Sequence, residues 1–255
     1  MRFVLLGTGT LVPDAERGPA GFLVERNGTR ILVDGGSGTL QRLARYGVDA
    51  RKLDAGVYSH WHLDHCGDLA PLLFAMRVGI GGVRREQYPI WAGEGFREFL
   101  GKLEATFPGW IRSDNFGAVV QELSLQGPDA ATLPGGIRLD TRPAVHSAGA
   151  LHLRFTSPEG ATVVFSGDTG PSPALAELAT GVDLLVTECA AAEPDPWNSH
   201  LWPEAVAEVV ARARPKRVLL THFYPGLEES LALEVVGRCG VPVSRAWDGQ
   251  VVDLG

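Results

Sequence analysis

VYSHWHLDHCGDL, residues 57–69, sets His60, His62, Asp64 and His65 within six positions, directly after a short apolar run. Three of the seven histidines of the chain fall in this one segment. Neighbouring imidazoles and a carboxylate are expensive to bury without partners. A metal ion is the partner that suits all of them. His60 and His62, one residue apart, suit a loop or extended segment. Asp64 and His65 are adjacent, so their side chains diverge. A single ion held by all four would need awkward geometry, whereas two neighbouring ions divide the set naturally. Two-metal hydrolases hold their ions roughly 3.5–4 Å apart, and such a site needs a bridging carboxylate and more imidazoles from elsewhere in the chain.

Three residues downstream stand where those ligands should come from. His146 follows the strand-like TRPAV, Asp168 sits in VVFSGDTG at the end of an apolar strand, and His222 closes KRVLLTH. Strand ends and the loops beyond them are where sites are usually built. One histidine after a strand says little by itself; seven such residues in this order are specific.

The rest of the chain frames a globular α/β protein. Its 255 residues suit one large domain or two small ones, with 45% hydrophobic and 21% charged residues. Short runs with strand punctuation (RFVLLG, GFLVE, RILVDGG, AGVYSH) lead into helical patterns in DLAPLLFAMRVG and GEGFREFLGKLEATF. Residues 118–165 return to strands. From Ser172 helices and strands alternate through SPALAELATG, VDLLVTE, PEAVAEVVARA, KRVLLTH and LEESLALEVVGR, before the strands VPVSRA and QVVDLG. No linker divides the pattern, so a single domain over residues 1–255 is expected. ILVDGG and VVFSGDTG echo each other as strands entering Gly-Asp turns, consistent either with two related sheet halves or with two similar turns.

Net charge is −7, which argues against a surface that broadly attracts nucleic acid or anionic membrane. Arg77, Arg84 and Arg85 form the one basic cluster and read as a solvated loop. Cys66, Cys189 and Cys239 are odd in number with no Cys-x-x-Cys pair, which fits a reducing compartment. The apolar run of the N-terminus is too short for a signal peptide, and no segment approaches the roughly 18–20 apolar residues of a membrane span. A cytoplasmic protein is expected.

His60-x-His62-x-Asp64-His65, His146, the SGDT Asp168 and the THF His222 resemble, in order, the metal motifs of the metallo-β-lactamase-fold hydrolases, over nearly the whole chain. The resemblance implies a four-layer αββα sandwich. It implies one ion held by His60, His62 and His146 and a second by Asp64, His65 and His222, with Asp168 bridging; Asp64 also counts among the catalytic residues. Two Zn²⁺ per chain suit imidazole-rich ligation, with manganese or iron as substitutes. A carboxylate at Asp168 sets the chain apart from the true β-lactamases, and His62, where a Glu would stand, from the diiron redox branch.

LLGTGTLVPDAERGPAGFLVE, TRILVDGG and DLLVTECA, followed by His200, look like the tRNA 3′-processing endonuclease (RNase Z-like) branch. There a Glu–His pair assists leaving-group protonation, and Glu188 and His200 match it. The branch also implies a homodimer. Its tRNA-gripping arm is missing: His146 and Asp168 are 22 positions apart, and Cys66–Val145 carries helices and strands with no low-complexity insert. With net charge −7, small phosphodiesters are therefore the expected substrates. Precursor tRNA processing, ester, thioester or lactone hydrolysis, and a non-catalytic carrier role in cofactor biosynthesis are the rivals.

Other residues have two readings each. Asp34 in VDGG either supports the metal site from behind or caps a turn. Thr8 and Thr10 read as a plain turn, His152 as a solvent-facing strand residue and Cys66 as a small buried residue. Trp61, Trp197 and Trp202 flank the site and suit either stacking on a substrate or core packing.

Overall fold

The computed structural model describes residues 1–78, 86–194 and 196–255; Arg84 and Arg85 of the basic cluster lie outside these, and Arg77 is half-buried. Two seven-stranded sheets face each other. The first runs in spatial order β14 (Gln250–Asp253), β1 (Arg2–Gly7), β2 (Gly21–Arg26), β3 (Thr29–Val33), β4 (Ala55–Tyr58), β5 (Tyr88–Gly93) and β6 (Ala118–Leu123). The second runs β13 (Val243–Arg245), β12 (Val218–Thr221), β11 (Leu184–Glu188), β10 (Thr162–Phe165), β9 (Leu151–Thr156), β8 (Arg138–Pro143) and β7 (Asp129–Thr132).

Alternation along the strands explains the layering. In β1, Phe3 and Leu5 enter the core between the sheets, while Val4 and Leu6 enter a second core on the outer face. Val163 and Phe165 of β10 likewise face the first sheet, with Val164 turned the other way. A strand buried on both faces reads as a continuous apolar run, which is why these segments lack polar alternation. The inter-sheet core centres on Phe22, whose ring stands 5.6 Å from Phe3 and 4.6 Å from Phe165 across the sandwich. Truncating such a ring to Ala typically costs about 3–5 kcal/mol.

Helices cover both outer faces. The helices α1 (Thr39–Arg45), α2 (Leu63–Cys66), α3 (Leu69–Val78) and α4 (Phe96–Thr106) lie on the first sheet's side. Those on the second sheet are α5 (Pro173–Leu178), α6 (Pro203–Ala213) and α7 (Glu229–Gly237). Helix α6 shows the local logic: Pro203 opens it at its first position and Arg214 ends it in the left-handed region. Ala205, Val206, Val209, Val210 and Ala213 form its buried stripe. The result is the αββα sandwich expected from the sequence.

Within each sheet the pairing changes from antiparallel to parallel at one strand, β3 in the first and β10 in the second. These are the two strands of the ILVDGG and VVFSGDTG echo. Strands β3, β4, β10, β11 and β12 all end at the same rim, and sites in such sheets form beyond the carboxyl ends of parallel strands.

Among the described residues between His65 and His146, the chain builds α3, β5, α4 and β6–β8, and Ile111 and Phe116 of the longest connection are buried in the outer core. Among the described residues no helix is long and apolar enough to cross a membrane.

One expectation fails here. His152 in β9 is fully buried, not solvent-facing. Its neighbours Leu151, Leu153 and Phe155 point between the sheets, and the opposite face of β9, where His152 points, is covered by α5.

Candidate metal centre

The rim gathers the predicted residues into two clusters with a shared wall. Donor atoms of His60, His62 and His146 lie within 4.8 Å of one another, as do those of Asp64, His65, Asp168 and His222. Asp168 stands between the clusters. Its Oδ1 is 3.2 Å from His65 Nε2, and its Oδ2 is 3.5 Å from His222 Nε2 and 3.9 Å from both His60 Nε2 and His146 Nε2.

Backbone geometry delivers each group. His60 lies just beyond β4, and the short helix α2 then turns Asp64 and His65 inward, all three buried. Asp168 follows β10, and His222 follows β12 in the left-handed region at φ 59°. The His222 amide donates to Thr8 O at 3.0 Å, as does Thr221 Oγ1. Thr8 is itself held by Asp248, which accepts from the Thr8 amide (2.9 Å), Thr8 Oγ1 (2.8 Å) and the Gly18 amide (2.8 Å) and pairs with Arg42 Nε (3.1 Å). Thr8 is thus more than a plain turn, while Thr10 only accepts locally from the Val12 amide.

Asp34 contacts one of the candidate ligands directly. It is fully buried at φ 54°, accepts from the Ser59 amide and hydroxyl at 2.7 Å each, and receives His65 Nδ1 at 2.7 Å. That contact keeps a ring proton of His65 on Nδ1 and leaves Nε2, 3.2 Å from Asp168 Oδ1, to carry either a second proton or a metal ion. His146 Nδ1 donates to Ser199 O at 2.9 Å, freeing Nε2 toward His62 Nδ1 at 3.1 Å. Backing a ligating imidazole from its far nitrogen is how metal sites fix ring orientation.

The electrostatics suit a cation. Burial opposes charge on His65, yet Asp168 and Asp34 overcome it and hold its pKa well above the ordinary value. Burial would also favour a neutral Asp168, but His222, His65 and His60 keep its carboxyl well below the usual carboxylate range. Asp64 is lowered the same way: burial works against the shift, and His222 and His65 outweigh it. A field that attracts a proton to His65 attracts a metal ion equally. His60 Nε2 is buried without a hydrogen-bond partner, too far from Asp168 for a hydrogen bond and suitably placed for an ion between them. The donor set, five imidazoles and two carboxylates, fits zinc.

Beside this centre lies the Glu188–His200 pair. His200 Nδ1 is 3.1 Å from Glu188 Oε1, whose carboxylate also accepts from the amides of Thr169 (2.5 Å) and Leu201 (3.2 Å). Burial raises the Glu188 pKa, with His200 pulling it back. A ring nitrogen of His200 comes within 4.8 Å of donor atoms of His146 and Asp168. The ring of Tyr224 stands edge-on to those of His200 and His222, at 5.4 and 5.7 Å. The loop bearing His200 is pressed close: a Cβ on Gly170 would collide with Asn198 O.

The remaining expectations sort by packing. Trp61 stacks on Phe99 and meets Phe96 edge-on, and a Cβ on Gly149 would strike its ring. Trp202 is half-buried against the second sheet's outer core, whereas Trp197 is 83% exposed. Cys66 is buried, its thiol pushed up to about 12 by burial. Sequence reasoning passed over Ser59, Asp248 and Tyr224; of these only Ser59, next to the first histidine, carried a positional signal.

An αββα sandwich with an imidazole cluster and an adjoining imidazole–carboxylate cluster at its rim is the architecture of metal-dependent hydrolases. The chain belongs to the β-lactamase superfamily, whose domain model matches residues 29–223. It is 32% identical to ribonuclease Z of Mycolicibacterium paratuberculosis over 244 residues, 88% of this chain and 86% of that protein. The crystal structure of the metallo-β-lactamase fold protein YhfI from Bacillus subtilis superposes with a TM-score of 0.84 at 25% identity, covering 100% of this chain and 99% of the other. Human tRNase Z, short form, shares the fold with a TM-score of 0.78 at 20% identity and full coverage of both chains.

Proposed function

We propose that the protein is a dinuclear metal phosphodiesterase acting on small phosphodiesters or nucleotides. One observation carries the reading: Asp168 belongs to one donor cluster and reaches within 3.9 Å of two imidazoles of the other, and the Glu188–His200 pair lies alongside them. His60, His62 and His146 would hold one ion, Asp64, His65 and His222 the other, and Asp168 both. Bound ions in such sites polarise the phosphoryl group, neutralise its charge and activate water. This chain's own residues do the rest. Glu188 accepts the Nδ1 proton of His200 and fixes its tautomer, so that the other ring nitrogen exchanges protons with the departing oxygen. An alkoxide leaving group needs that proton; a thioester, whose thiolate departs readily, does not. Asp64 completes the second cluster and shares the His222 imidazole, 3.3 Å away.

Small substrates suit a chain whose described residues between the second and third motifs are taken up by sheet and helix, and whose net charge is −7. Zinc in both positions, a cytoplasmic location with unpaired cysteines, and the homodimer implied by family resemblance complete the reading.

The likeness to ribonuclease Z supports a second reading, endonucleolytic cleavage of RNA. Zinc-loaded protein assayed on bis(p-nitrophenyl) phosphate, on cyclic nucleotides and on precursor tRNA separates the two. Turnover of the small esters far above that of tRNA supports the first; specific cleavage at the 3′ trailer at matching rates supports the second.

A further inference from the structure

All the histidines of the chain except His152 stand at the candidate centre. His152 lies one layer behind it, fully buried in β9. Its Nδ1 is 2.7 Å from Ser166 O and its Nε2 is 3.0 Å from Ser172 Oγ. A carbonyl can only accept, so Nδ1 carries the proton and Nε2 accepts from the hydroxyl. One neutral tautomer satisfies both partners.

Those partners bracket the loop that bears Asp168. Ser166 follows the last residue of β10, and Ser172 immediately precedes α5. The imidazole therefore spans both ends of the 166–172 segment. Further bonds brace the segment from the sides: Glu188 N donates to Ser166 Oγ (3.0 Å), Thr169 N to Glu188 Oε1 (2.5 Å), and Gly170 N to Val145 O (2.7 Å). The Asp168 carboxylate is approached within 4 Å by four imidazoles. The loop sets where that carboxylate enters the ring of imidazoles.

We propose that His152 is a positioning residue for Asp168, its imidazole clamping the two ends of the 166–172 segment and so setting the direction of the carboxylate. The inference rests on the reading of Asp168 as the metal bridge. It explains why a polar ring occupies this place: an apolar side chain of similar volume would fill the space and leave the Ser166 carbonyl and Ser172 hydroxyl without partners.

Calorimetric titration of chelator-treated protein with Zn²⁺ alone tests it, comparing wild type with His152→Asn, His152→Leu and Ser172→Ala. Asparagine places an amide N–H where Nδ1 stands and keeps the bond to Ser166; leucine keeps neither bond. The Zn²⁺ dissociation constant should rise roughly tenfold or more in His152→Leu and about threefold or less in His152→Asn, in line with losses from outer-shell partners. Thermal melting of the metal-free proteins supplies the control for a merely structural role. A His152→Leu variant that melts earlier yet binds Zn²⁺ as wild type does would overturn the inference, as would equal weakening in the Asn and Leu variants. Should His152→Leu fail to fold, Ser172→Ala decides: roughly threefold weaker Zn²⁺ binding supports the clamp, and unchanged binding contradicts it. A wild-type protein that binds no Zn²⁺ would remove the metal reading itself, and this inference with it.

Discussion

Glu188 and His200 face each other across 3.1 Å, carboxylate Oε1 to imidazole Nδ1, beside the metal ligands implied by family resemblance but outside both ligand sets. On the proposed reading the pair serves proton transfer. General acid catalysis typically contributes roughly 10²–10⁴-fold, so His200→Ala should lose that much on a diester with a poor alkoxide leaving group. On a nitrophenyl ester, which departs without a proton, the loss should be small. Metal content measured on the same samples should be unchanged. Equal losses on both esters would assign His200 to binding, and lost metal would make it a ligand.

Asp34→Asn addresses the support behind the ligands. The amide would place a donor or a weak acceptor against His65 Nδ1 and the two Ser59 donors now served by the carboxylate. Outer-shell changes of this kind cost about 10–100-fold in metal affinity. Competition with a zinc chelator reads the effect directly. Unaltered affinity would return Asp34 to a turn-capping role.

Asp248→Asn probes the long-range anchor of His222. Nδ2 of the new amide would face either the Thr8 donors or those of Gly18 and Arg42, donor against donor. Leaving such groups unsatisfied costs about 1–3 kcal/mol, readable as a lower urea midpoint with unchanged slope. Zinc affinity should fall as well, because Thr8 O holds the His222 amide. A stable variant with intact affinity would show that Thr8 needs no anchor.

His152 gives the metal-free protein a pH dependence. Burial pushes its pKa from 6.5 down to about 4. Between those values the unfolded chain binds the proton and the folded chain does not. This stability is therefore fully present above pH 6.5 and is lost as the pH falls toward 4, by about 3 kcal/mol. The stability gap between wild type and His152→Asn, measured by denaturant unfolding, should narrow across that window. A constant gap would mean that His152 does not titrate as a buried neutral ring.

The mixed strand and helix pattern was legible because doubly buried strands such as β1 and β10 leave long apolar runs, whereas the four-layer arrangement came from the family resemblance. The gathering was legible because His60, His146, Asp168 and His222 each follow or close an apolar run, with His62, Asp64 and His65 clustered directly after the first of them. His152 was misread because alternation has period two whether the outer face meets solvent or a helix, and α5 begins only in the next unit of the chain. Asp248 was invisible for a different reason. It lies 240 residues from Thr8, and nothing local marks a carboxylate that collects donors from three distant segments.

Metal stoichiometry tests the central claim most directly. Wild-type protein, stripped with chelator, reloaded with excess Zn²⁺ and freed of unbound ion, should hold two ions per chain by mass-spectrometric metal analysis. Asp168→Ala treated identically should hold fewer. Two ions in the wild type and a loss in the variant are the result the bridged centre predicts; a wild type that saturates at one ion or none, or a variant that still holds two, would contradict it.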